Sequence, residues 1–110
     1  MKDTIFALSS GMPPAALALV RISGPQAASA LAALGGKLPA PRRATLRDLY
    51  WDGILLDSAL ILHFPAPHSA TGEDVVELHI HGSIGVVRAV ERALAAMPGL
   101  RAAQAGEFTR

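Results

Sequence analysis

The chain has 110 residues, 51% of them hydrophobic but only 5% aromatic, with a net charge of +1 and no cysteine. This describes one domain with an aliphatic core. It excludes disulfides, thiolate metal sites and thiol nucleophiles, and a general electrostatic pull toward nucleic acid, which needs a clustered basic surface. No apolar run approaches the ~18 residues that cross a bilayer, and the start Met1-Lys2-Asp3-Thr4-Ile5-Phe6 has no signal-peptide pattern. The lack of cysteine fits a cytoplasmic protein, and that is the expected location.

In chain order, Thr4–Leu8 reads as a short strand. Ser9-Ser10-Gly11-Met12-Pro13-Pro14 is turn-rich, because its prolines fix φ and remove donors. Residues 16–22 form a second apolar run with a β-branched end, expected as a buried strand. Ser23-Gly24-Pro25 then starts a helix, with Ser23 as cap and Pro25 in the first turn. That helix runs to about Leu34 and stops at Gly35-Gly36. Residues 38–41 connect to two strands, Thr45–Trp51 and Ile54–Phe64. These are joined by Asp52-Gly53, a pair that tolerates the positive φ of a tight hairpin.

Residues 65–72 are a loop held by Pro65 and Pro67. In Val75–His81 the alternation puts Val76, Leu78 and Ile80 on one face and Val75, Glu77, His79 and His81 on the other. Gly82-Ser83 opens a second helix, whose buried stripe is Val87, Val90, Leu94 and Met97, with Arg88, Glu91 and Arg92 mostly on the wet side. Pro98-Gly99 ends it, residues 100–103 form a short last strand, and Gly106-Glu107 begins a further helix. The whole is an α/β (α+β) mixture: one mixed sheet of about six strands, with two main helices packed on a face.

Several groups of residues bear on chemistry, each with more than one reading. Glu77, His79 and His81 share one strand face, and residues two apart there lie ~7 Å from each other. A His-x-His pair can chelate a metal or be the polar face of a half-exposed sheet. His63 and His68 are third ligands only if the fold brings them near. Arg21 is the one charged residue of the 16–22 run. Burial demands a partner for it, either an acidic residue of the neighbouring strand or a ligand carboxylate held bidentately.

Thr71-Gly72-Glu73-Asp74 offers two adjacent carboxylates for a cation or an amine-rich ring, or else a Ser/Thr-type turn entering a strand. His81-Gly82-Ser83-Ile84-Gly85 is an anion-receiving junction or a tight turn capped by Ser83. It lacks the spacing of a dinucleotide fingerprint or a phosphate loop, and no Gly-x-Ser-x-Gly elbow is present. Arg42, Arg43 and Arg47 form the only local basic cluster, either a phosphate contact or a solvated loop.

Three phrases in order carry a resemblance: Leu19-Val20-Arg21-Ile22-Ser23-Gly24, the Thr71-Gly72-Glu73-Asp74-Val75-Val76-Glu77-Leu78 run that follows Phe64-Pro65-Ala66-Pro67-His68-Ser69-Ala70, and Gly106-Glu107-Phe108-Thr109-Arg110. Asp3-Thr4-Ile5, His81-Gly82 and Pro98-Gly99-Leu100-Arg101 fall at matching places. Over almost its whole length the chain resembles the N-terminal domain of the MnmE/TrmE family of tRNA-modifying GTPases.

The resemblance implies a fold similar to the folate-binding module of aminomethyltransferases. It implies a homodimer with a tetrahydrofolate derivative, formyl- or methylene-, near the interface as one-carbon donor. It implies that Arg21 and Glu77 contact that folate, and it assigns no catalytic residue and no metal ligand within these residues. It lowers the metal reading, because a relative can carry glutamine at the place of His79.

Family members continue into a helical domain and a GTPase domain that uses magnesium and potassium. With the flavoprotein MnmG (GidA) they modify the wobble uridine of tRNA. The expectation is therefore that this chain, 1–110, is the tetrahydrofolate-binding and dimerisation domain of such a protein. A different expectation is a pure dimerisation or partner-docking module without ligand binding in isolation. The chain departs from the family pattern at residues 11–16, where relatives are glycine-rich, and at Ser83, where relatives have a second glycine.

Overall fold

In the computed structural model, residues 3–10, 15–69 and 71–109 are described. The expected turn at Gly11-Met12-Pro13-Pro14 lies outside them. The elements in order are β1 (Thr4–Leu8), β2 (Leu17–Ser23), α1 (Ala27–Ala33), β3 (Thr45–Trp51), β4 (Ile54–Phe64), β5 (Val75–His81), α2 (Ile84–Ala95), β6 (Leu100–Ala102) and a 3-10 turn (Glu107–Thr109). The six strands make one sheet in the order β3-β4-β5-β2-β1-β6. Its neighbours are antiparallel except β1 and β6, which run parallel. The expected mixed sheet with two helices is therefore what forms.

One face of the sheet carries the core. Val20 and Ile22 of β2, Ile61 of β4, and Val76, Leu78 and Ile80 of β5 are fully buried in one cluster. Leu31 and Leu34 from the α1 segment and Val87, Val90 and Leu94 of α2 belong to the same cluster. The alternation in β5 thus reads correctly, and the helical stripe of α2, Met97 included, is buried as its spacing requires. The opposite face keeps large aliphatic side chains in the open: Leu17 is 60%, Leu46 62% and Leu60 44% exposed.

The ends of α1 combine one success and one correction. Gly35 has φ 81°. Its N–H donates to the Ala32 carbonyl at 2.9 Å, and that of Gly36 donates to the Leu31 carbonyl at 3.1 Å. This is a Schellman stop, which needs a residue free to take positive φ at that place. At the other end Ser23 does not cap. It is the last residue of β2, and its hydroxyl pairs with that of Thr71 at 2.7 Å. The helix starts later, with Gln26 at the N-cap position and no side-chain cap of its own, and the Gln26 N–H donates to Thr4 Oγ1 at 2.8 Å. Gly24 explains the delay. Its φ is 141°, and a Cβ there would stand 2.7 Å from Thr4 Cα. Strand β2 therefore ends against β1 in a bend open only to glycine, and the helix begins after it.

The Asp52-Gly53 hairpin forms as expected, with φ 52° and 75° at its two central residues. Ser83 caps α2, accepting from the Val86 N–H at 3.2 Å. Ser83→Ala is expected to lower stability by about 1 kcal/mol at unchanged urea m-value, readable by equilibrium unfolding. β6 ends at Ala102, one residue earlier than expected, and a 3-10 turn, Glu107–Thr109, forms where the entry to a further helix is expected.

Candidate functional site

β2 and β5 lie side by side in antiparallel register with Arg21 directly opposite Glu77. Both point to the face away from the helices. Such partners have Cβ atoms about 5 Å apart, and a long side chain spans that gap. Arg21 donates through Nε at 3.2 Å and through a terminal nitrogen at 2.9 Å to Glu77 Oε2. The pair is part-buried, with side chains 27% and 14% exposed. The demand for a partner at Arg21 is met by an acidic residue of the neighbouring strand. Glu77 Oε1 faces His79 Nε2 at 3.3 Å, so the carboxylate is held from both sides with acceptor capacity remaining.

An open cleft of about 360 Å³ borders this pair, lined by Arg21, Arg42, Phe64, His68, Ser69, Val75 and Glu77. Val75 sits two residues from Glu77 on the same strand face and is paired with Phe64 of β4. The cleft therefore runs along the strands from the Arg21–Glu77 pair toward the loop of residues 65–72. That loop is tied down by its own polar groups. Asp74 accepts from the Ala66 N–H at 2.8 Å, and the Asp74 carbonyl from the Gly24 N–H at 2.9 Å. The Gly72 N–H donates to the Ser69 carbonyl at 3.3 Å, the Ser69 hydroxyl donates to the Glu73 carbonyl, and Thr71 Oγ1 accepts from the Glu73 N–H at 3.4 Å. Thr71-Gly72-Glu73-Asp74 is thus the Ser/Thr-type turn. It holds Ser69 of the cleft lining through the Glu73 carbonyl, and its Asp74 carboxylate is used for structure.

The histidines do not converge. His81 Nδ1 pairs with Asp57 Oδ1 at 2.8 Å, and its backbone N–H donates to Asp57 Oδ2 at 2.7 Å. His79 turns to Glu77. His63 is buried on the helix side of the sheet, with no hydrogen-bond partner at Nε2 among the described residues. Among the described residues no three His, Cys, Asp or Glu side chains are placed to hold a metal ion. The junction after β5 is the capped tight turn.

The basic cluster disperses. Arg47 donates to the Lys37 and Leu46 carbonyls at 3.2 and 3.1 Å, while Arg42 turns to the cleft, its guanidinium carbon 5.6 Å from the centroid of the Phe64 ring. At the far edge of the sheet, the hydrogen bonds that Arg101 donates to Glu107 and then to Asp3 hold its guanidinium charged well beyond its ordinary range. The Glu107 contact is bidentate, at 2.7 and 2.6 Å. Glu107 of the third phrase thereby fastens the last turn to β6.

Sequence reasoning singled out Arg21 and Glu77, and the fold sets them together. It gave no role to Asp57, Phe64 or Ser69, and it had Arg42 only as one of three neighbouring arginines. Strand alternation places Phe64 on the Leu62 face, the one signal that was available.

Comparison with known proteins agrees with the ordered phrases. The family model described as GTP-binding protein TrmE N-terminus matches residues 4–110. The tRNA modification GTPase MnmE of Novosphingobium aromaticivorans is 58% identical over 100% of this chain and 26% of its own length. That of Erythrobacter litoralis is 58% identical over 98% and 26%, and that of Sphingopyxis alaskensis 66% over 83% and 22%. The chain spans about a quarter of the length of these curated relatives. With all but the first three residues inside the family match, and the signature arginine and glutamate paired across adjacent strands, the chain belongs to the TrmE N-terminal family.

Proposed function

We propose that this chain is the module of a tRNA modification GTPase that binds a reduced folate and brings two copies together. The observation that carries the ligand reading is the Arg21–Glu77 pair at the wall of an open cleft. A carboxylate held in place by an arginine and a histidine keeps lone pairs for the amino and ring N–H groups of a pterin. The ligand is a formyl- or methylene-tetrahydrofolate acting as one-carbon donor. No residue here is assigned to catalysis. GTP hydrolysis with magnesium and potassium, the flavoprotein partner MnmG and the wobble uridine of tRNA belong to the whole protein, whose action is cytoplasmic. Among the described residues no helix is long and apolar enough to cross a membrane.

The open sheet face supports self-association, because Leu17, Leu46 and Leu60 leave apolar surface in water on the side of the cleft. The same face favours a second reading, an assembly module with no ligand affinity of its own. Titration calorimetry of the chain with 5-formyltetrahydrofolate, alongside analytical ultracentrifugation, separates the two. One site per chain in a dimer is the expected result. A persistent dimer with no heat of binding leaves the assembly module alone. A monomer at micromolar concentration removes the dimerisation reading.

A further inference from the structure

We propose that Arg42 reads the charge of the ligand: the far end of the cleft receives an anionic group, and a folate is held there by its carboxylate tail. This rests on the folate reading above and extends it to a residue that none of the three family phrases contains.

At the near end of the cleft, Arg21 is neutralised by Glu77, 2.9 Å away. At the far end, Arg42 has no carboxylate partner among the described residues. Of its five N–H donors, one is spent on the His68 carbonyl. Its guanidinium lies over the Phe64 ring, a contact that orients an arginine without neutralising it. With one carboxylate and two guanidinium groups among its lining residues, the cleft has an excess of positive charge, and Arg42 is where that excess sits.

The backbone says the same. Arg42 has φ 61°, a conformation that costs a side-chain-bearing residue and that glycine or asparagine would take with less strain. Its N–H is fixed on the His63 carbonyl at 2.9 Å. The turn thus holds an arginine, rather than an easier residue, at the mouth of the cleft. The two ends are separated by one strand repeat and one interstrand step, on the order of 10 Å. A flat, donor-rich head at Glu77 and a carboxylate at Arg42 describe an elongated ligand with a charged tail. Arg42 meets that carboxylate as a guanidinium fork.

The test compares tetrahydrofolate with its tail diamide, which keeps every ring and removes only the negative charge, by calorimetry on this chain and on Arg42→Asn. Asparagine tolerates the positive φ, so the variant loses the charge without added strain, and a thermal melt checks its fold. The wild-type chain is expected to prefer the dicarboxylate by about tenfold, the usual effect of one charge-assisted contact. Arg42→Asn should bind both probes alike, with the diamide affinity unchanged. Equal binding of the two probes by the wild-type chain overturns this inference and leaves the folate reading standing. Binding of neither probe overturns both. The wild-type comparison needs no variant, so a poorly folded Arg42→Asn does not spare the inference.

Discussion

Glu77→Ala is expected to weaken reduced-folate binding at least about 100-fold while the chain stays folded. The carboxylate is the acceptor of the proposed head-group site, and charge-assisted hydrogen bonds contribute about 1.5–3 kcal/mol each, so losing a pair exceeds two decades in affinity. The cost to the fold is smaller. Removing Glu77 takes both acceptor contacts from Arg21, but that side chain is 27% exposed and can turn to water. A loss of about 1 kcal/mol follows, a shift of about 4–8 °C in a domain near this size. Calorimetry and a thermal melt on the same sample distinguish the outcomes. Unchanged affinity would remove Glu77 from the ligand site. Wholesale unfolding would make it a structural residue first.

The largest loss of stability is expected at Gly82→Ala. A Cβ at Gly82 would stand 2.3 Å from the carbonyl oxygen of Ala15 and 2.7 Å from its carbon. These are backbone atoms, and no rotamer change relieves the clash. The approach is close because the chain ahead of β2 pairs with the end of β5: the Ala15 N–H donates to the Gly82 carbonyl at 3.0 Å, and the Gly82 N–H to the Ala16 carbonyl at 3.3 Å. Adding one methyl group forces these segments apart and breaks both bonds. The combined overpacking and hydrogen-bond loss is about 3 kcal/mol or more. The control is three residues away. A Cβ at Gly85, in the first turn of α2, meets nothing within 4 Å, so Gly85→Ala should raise stability by about 0.5 kcal/mol through the unfolded chain. Urea unfolding of both variants should give opposite signs. Matching signs would show that the contact at Gly82 yields without cost.

Much of this arrangement was legible in the residues. β1, β3, β4 and β5 begin and end where turn chemistry and alternation place them, because Asp52-Gly53 and the prolines that follow Phe64 act locally. The stop of α1 at Gly35-Gly36 and the Ser83 cap are local for the same reason. The start of α1 was misread because Ser23, a good cap by type, answers to a distant partner. Thr71 claims its hydroxyl, and the close approach of Gly24 to Thr4 delays the helix.

The site divides along the same line. The sequence by itself determined the family, the polar face of β5, and the need of Arg21 for a partner, either an acidic residue of a neighbouring strand or a ligand carboxylate. These follow from ordered phrases, from a period of two, and from the cost of an unpaired buried charge. Only the tertiary structure decided that the partner is Glu77, since register depends on which strands are neighbours, and β2 and β5 are far apart in the chain. It also decided that the histidines separate, with His81 on Asp57, His79 on Glu77 and His63 beneath the sheet. Arg42 was legible in the sequence only as one of three neighbouring arginines. Its place at the cleft comes from a turn of positive φ and from the stacking of β4 beside β5, and neither leaves a periodic mark in the chain.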